Sequence, residues 1–254
     1  MALLDRGLRR RPQGAPPPSE PAAERRMTVV EHLEDLRRAL LVSLSAWGIA
    51  SILTGIFVTR PVIHFLIVRG GVDHAYFTRP TGAFLLAVQV AIELGFVVAF
   101  PVISQQVWWF VSPGLHKHER RLVLPLFVST VIFFAVGVAF ALLSLPLFIR
   151  LLTGFAPVDL TYLPLIDDYI GFVLLLVIGY GLVFELPVAI YVLGRFGIIS
   201  SRWLYQHRLA WIIGLAVAAN FLTPGADPIS PLLMFIPLYV FWEASTLLLK
   251  LRGR

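Results

Sequence analysis

Six stretches of the chain are almost continuously apolar, and short polar segments separate them. They are Ala39–Thr59, Gly82–Phe110, Leu122–Ile149, Tyr169–Gly194, Leu209–Leu222 and Ile229–Leu249. The first and third contain no charge; the second carries Glu93, the fourth Glu185 and the sixth Glu243. A helix needs about 20 apolar residues to cross a bilayer. The pattern therefore predicts an all-α integral membrane protein with six transmembrane helices, the second broken near Pro101. The fifth and sixth spans read as short. At 1.5 Å per residue the fifth reaches only about 21 Å, which implies local bilayer thinning or burial within protein.

Composition agrees with this class. Of 254 residues, 58% are hydrophobic and only 14% charged, with a mean hydropathy of +0.82. A soluble domain carries roughly 25% charged residues. With no cysteine, disulfides, zinc–thiolate centres and cysteine nucleophiles are excluded. The net charge of +6 follows from topology. With six spans, all 21 lysines and arginines except Arg60, Arg69, Arg79 and Arg150 fall on one side. The positive-inside rule places that side, and both termini, in the cytoplasm.

Residues 1–26, "MALLDRGLRRRPQGAPPPSEPAAERR", are rich in arginine and proline and read as a disordered cytoplasmic tail. No apolar segment follows the basic cluster directly, so it does not read as a cleavable signal. The membrane domain is expected over 27–249, with 250–254 as a short cytoplasmic tail. Thr28 and Glu31 fit a capping box. Val29, Leu33, Leu36 and Leu40 then form one helical stripe, opposite Glu31, Glu34, Asp35, Arg37 and Arg38. Glu34 and Arg38 are spaced to pair. This stretch reads either as an interfacial helix with a charged wet face or as a surface where Asp35 and its neighbours recognise a basic ligand.

The loop "WWFVSPGLHKHERRLVLP" is the second dense segment. Trp108, Trp109 and Phe110 suit the membrane interface. Glu119 is the one acid among five potentially positive groups. His116 and His118 lack a convergent third ligand, so no metal site is expected.

The third feature is Glu185. It lies about 24 Å along a helix counted from Tyr169, inside a hydrocarbon core about 30 Å thick. A charge there costs at least about 2.5–3.5 kcal/mol on insertion scales. Glu185 must therefore face water, a cavity or a partner, or else carry a proton. Pro187 lacks an N–H, so the carbonyl of Val183 loses its helical donor beside the carboxylate. Glu93 either faces the same cavity or bonds a neighbouring helix.

Four segments, "EHLEDLRRAL", "FPVISQQVWWFVSPGLHKHERR", "GLVFELPVAIYVL" and "FLTPGADPISPLLMFIPLYVFWE", occur in an order and spacing that resemble the TatC family. That family is the multispanning core subunit of the twin-arginine protein translocase, and the resemblance covers residues 27–249. It implies a non-enzymatic receptor in a prokaryotic inner membrane, with six spans and cytoplasmic termini. The receptor binds Arg-Arg signal peptides of folded precursors. With single-spanning partners of the TatA and TatB type, in an oligomeric complex, it mediates export driven by the proton motive force without a cofactor.

Position by position, the resemblance assigns signal-peptide binding to Asp35, Leu36, Arg37, Pro101, Phe110 and Glu119. Asp35 stands where the family usually has glutamate, a longer arm. Glu185 and Pro187 match the family's intramembrane "FE.P" motif, at a concave pocket that receives signal peptide and partner helices. Thr223, Pro224 and Asp227 match the periplasmic "TPPD" segment, here "TPGAD". The chemistry of the first set is consistent: a guanidinium fork matches a carboxylate in bidentate fashion, which lysine does not copy. The alternative from residues alone is a proton-coupled secondary transporter, since intramembrane carboxylates are typical of proton relays. Such folds commonly carry two related halves, and no repeat relates 27–140 to 141–249. No HExxH, GxSxG or P-loop is present, so neither proteolysis nor ATP use is expected.

Overall fold

The structure is a computed structural model and describes residues 29–72, 75–114, 120–155, 163–223 and 229–251. The described residues form α1 (Val29–Phe57), α2 (Thr59–Gly70), α3 (Gly82–Val111), α4 (Val123–Thr153), α5 (Ile166–Val183), α6 (Leu186–Arg195), α7 (Ser201–Gln206), α8 (Arg208–Leu222) and α9 (Ile229–Leu251). Pairing of extended backbone among them is limited to one bridge, Tyr76 with Leu165. Five helical segments are long and apolar enough to cross a membrane, α5 and α6 counting as one, and α8 is a shorter apolar helix.

Five expectations change. The sixth span is not short: α9 runs for 23 residues and is long and apolar enough to cross a membrane. The charged stretch 29–38 is no separate interfacial helix, because α1 runs unbroken through it into the first apolar run. Glu34 and Arg38 form no ion pair, and the Thr28 cap lies outside the described residues. The second span is not broken: Pro101 sits inside continuous α3. The fourth span is interrupted instead. α5 stops at Val183, the Glu185 N–H turns back to Leu182 O at 3.1 Å, and α6 restarts with Pro187 in its first turn. The missing proline N–H and its ring clash make that position the weak point of the ladder.

The most buried helix is α5. Ile170, Val173, Leu174, Val177 and Tyr180 carry its core face, packed against α4, α3 and α9. By contrast α1 packs mainly on α3 and exposes most of its length. Small residues bring these helices together. A Cβ on Gly95 would sit 2.6 Å from the Cα of Ser51, and Thr54 Oγ1 donates across the seam to Ala91 O at 2.9 Å.

Prolines inside helices leave carbonyls without donors, and two of these are satisfied from a neighbouring helix. Pro146 frees the carbonyl of Leu142, which accepts from Arg69 Nε at 3.2 Å. Pro237 frees that of Leu233, which accepts from Tyr180 Oη at 3.1 Å. In hydrocarbon no water replaces such a bond. Tyr180→Phe is therefore expected to lower stability by about 1–2 kcal/mol, read as an earlier thermal unfolding transition in detergent. An unchanged transition shows that the carbonyl finds another donor.

The pattern of apolar runs does not predict α2. Tyr169 Oη donates to Leu66 O at 2.7 Å, and with the Arg69 bond this lays α2 across the ends of α5 and α4. At the other end of the bundle, Arg208 donates to Tyr239 and to Glu243 Oε2, the latter at 3.4 Å, while Tyr205 Oη donates to Glu243 Oε1 at 3.2 Å. Burial, then the Glu243 carboxylate, push the Tyr205 phenol above its usual range. These bonds tie α7 and α8 to α9.

Candidate functional site

At the N-terminal end of α1, its side chains meet the C-terminal end of α3 around a cavity of about 320 Å³. Asp35, Arg38, Ala39 and Val42 come from α1, and Gln106, Trp109 and Phe110 from α3. The α1 residues recur at helical spacing, so one face of the helix supplies carboxylate, guanidinium and apolar wall together. His32 stacks on Phe110 with ring centroids 4.4 Å apart and extends the wall by one turn. A half-buried carboxylate beside two aromatic rings suits a guanidinium, which takes the carboxylate through its edge and the ring through its face. Arg38 puts a positive charge on the same α1 wall as Asp35 and disfavours an incoming cation at its own end of the cavity.

Of the residues expected at this site, Asp35 and Phe110 line the cavity. Leu36 is half-buried, and Arg37 is exposed on another face of α1. Pro101 lies about 13 Å along α3 from Phe110 and does not reach the cavity. Glu119, with His116 and His118, lies outside the described residues. Gln106 and His32 were missed by sequence reasoning.

The second site centres on Glu185 at the α5–α6 break. Its carboxylate is half-buried, and Oε1 is buried with no hydrogen-bond partner. The Thr130 hydroxyl of α4 faces the carboxylate. Thr130 Oγ1 in turn accepts from Trp108 Nε1 of α3 at 3.2 Å. Trp108, Thr130 and Glu185 thus form a polar chain across three helices, walled by Leu126 and Val188. This corrects the reading of both tryptophans as interface anchors. Trp109 is 61% exposed and fits that role, whereas Trp108 is 8% exposed and belongs to the interior. Pro187 opens α6 and holds the carboxylate at a helix end.

Glu93 does not bond a neighbouring helix. Its Oε1 accepts from Gln89 Nε2 on its own helix at 3.0 Å, and Oε2 is buried without a partner. Thr223 closes α8 with its hydroxyl on Ala219 O at 2.7 Å; Pro224 and Asp227 lie outside the described residues. Among the described residues, no cluster of His, Asp and Glu has a composition able to hold a metal.

Residues 31–237 match the family described as Sec-independent protein translocase protein (TatC). The Sec-independent protein translocase protein TatC of Carboxydothermus hydrogenoformans is 36% identical over 88% of this chain and 93% of its own length. That of Aquifex aeolicus is 34% identical over 90% and 97%. Among solved structures, the crystal structure of the twin arginine translocase receptor TatC superposes with a TM-score of 0.79 at 33% identity. It covers 88% of this chain and 100% of that one.

Proposed function

The chain belongs to the TatC family of Sec-independent protein translocase proteins, and from that premise we propose that it is the precursor receptor of a twin-arginine translocase. The observation that carries this reading is the cavity between α1 and α3, where Asp35 stands with Trp109 and Phe110. Its chemistry is that of an arginine site: a carboxylate for the fork and aromatic faces for the plane. Glu119 supplies a second carboxylate from the adjoining loop, so that two neighbouring arginines are read by two separated acids. Leu36 and Arg37 complete the motif beside Asp35 on α1 without lining the cavity.

Photocrosslinkers placed at Val42 and Gln106 test this. A precursor with an intact Arg-Arg signal is expected to crosslink at both, and one with Lys-Lys to lose most of the product. Equal crosslinking of the two precursors removes the reading.

The proposal extends to topology and partners. Six spans, α8 serving as the fifth, put both termini in the cytoplasm of a prokaryotic cell. The tails 1–26 and 250–254 then lie on that side. Thr223, Pro224 and Asp227 lie on the opposite face. Reporter fusions at Arg254 and within 72–77 are expected to report opposite sides of the membrane; the same side for both sinks the six-span arrangement. The Glu185 site is the intramembrane station. There an inserted signal peptide, or the helix of a single-spanning Tat subunit, supplies the donor that Oε1 lacks. Cargo movement in an oligomeric complex is driven by the proton motive force.

A further inference from the structure

At the end of the bundle opposite the Asp35 cavity, α2, the start of α3 and the segment 75–77 enclose a groove of about 770 Å³. That size falls within the ~300–1,000 Å³ of small-molecule sites. Ile63 and Ile67 form one wall, Phe84 and Ala87 another, with Phe77 and Ile166 between them. The bridge from Tyr76 to Leu165 holds this floor in place: the Ile166 N–H donates to Tyr76 O at 2.8 Å. Phe77 and Phe84 are 59% and 70% exposed, so the apolar lining continues onto the outer surface of the bundle.

The described lining contains one charged side chain, Arg60. It is exposed and makes no ion pair or hydrogen bond with a described residue. Thr59 beside it is buried, with its hydroxyl committed to Thr54 O at 3.0 Å. Asp167 follows Ile166 but is not part of the lining; its carboxylate lies beside Gly82, with Oδ1 buried and without a hydrogen-bond partner. Among the described residues, the groove is therefore an apolar trough opening to the bilayer face, with one free cation at its rim. That rim lies at the junction of α1 and α2, where the first apolar run ends and the interface begins.

We propose that this groove holds an acyl chain of a membrane phospholipid whose phosphate is bound by Arg60. Charge complementarity selects this occupant. An apolar chain fills the trough and a phosphate takes the planar fork, for which guanidinium is suited. A purely apolar ligand would leave the arginine unused. A transmembrane helix from a second copy fills the trough without supplying an anion. The bound lipid would wedge α2 against α3 independently of how the Asp35 site works.

Native mass spectrometry of the delipidated full chain, offered phosphatidylglycerol, phosphatidylethanolamine or a diacylglycerol with the same chains, tests this. One phospholipid of either headgroup is expected to be retained, and diacylglycerol to be lost. Arg60→Gln should lower phospholipid retention by about tenfold. Ala87→Phe, which fills the trough while leaving Arg60 in place, should do the same. Unchanged thermal unfolding of each variant shows that the fold is kept. Equal phospholipid retention by wild type and both variants, or equal retention of diacylglycerol, overturns the proposal. So does a dimer in place of a lipid adduct that Ala87→Phe dissolves.

Discussion

Replacing Asp35 by asparagine should weaken binding of an Arg-Arg precursor to membranes by about tenfold, with the protein level unchanged. The substitution keeps the size of the side chain and removes only its charge. A charge-assisted hydrogen bond contributes about 1.5–3 kcal/mol, and the half-exposed position of Asp35 favours the lower end. Because 1.4 kcal/mol is tenfold in affinity, that is the expected scale. Glu119→Gln should cost a similar factor, since it leaves the ligand arginine facing Arg120 and Arg121. If each acid reads its own arginine, the two losses add, and the double variant should fall by roughly a hundredfold. Glu34→Gln, on the exposed side of α1, should change little. Wild-type binding by both single variants would remove the two-carboxylate reading. A double variant no weaker than either single one would mean that both acids serve one arginine.

The membrane spans were legible because hydrocarbon thickness forces long apolar helices with internally satisfied backbones. What the residues could not reveal was tertiary in origin. The sequence of α2, "TRPVIHFLIVRG", is too short to span and has no clean stripe. Its placement comes from Tyr169 and from the Arg69 bond to Leu142 O. Prolines were equally ambiguous. Pro146 and Pro237 ride inside continuous helices whose freed carbonyls find Arg69 and Tyr180, while the chain breaks before Pro187. The donor sits on a different helix in each satisfied case, so no local pattern encodes it.

The candidate site divides the same way. Asp35 and Phe110 were reachable through motif resemblance, and Glu185 stood out as a charge in an apolar run. Trp108 and Trp109 were read alike, yet neighbours on a helix point about 100° apart. Only one of them can face the bundle, and the sequence does not say which. Gln106 and His32 carried no signal, because a single polar residue near a helix end is ordinary until a cavity gathers it.

Glu185→Ala should separate recognition from transport. The Asp35 cavity is built from α1 and α3 alone, so precursor binding should stay within about twofold of wild type, under 0.5 kcal/mol. Transport should fall by about tenfold or more. Leaving a buried donor on an inserted helix without its acceptor costs about 1–3 kcal/mol. Oε1 has no partner and Thr130 keeps its bond from Trp108, but the variant loses the carboxylate's contacts with Thr130 and the Phe134 backbone. An unfolding transition close to wild type then assigns the transport loss to function rather than to folding. Glu185→Gln, which keeps an acceptor oxygen, should restore part of the transport if the lost contact is a hydrogen bond. It should restore none if a titrating carboxylate is required. Binding and transport must be measured separately on the same membranes. Abolished binding in Glu185→Ala, with wild-type binding in Asp35→Asn, would reverse the assignment and make the α5–α6 break, not the α1–α3 cavity, the place where the precursor is first read.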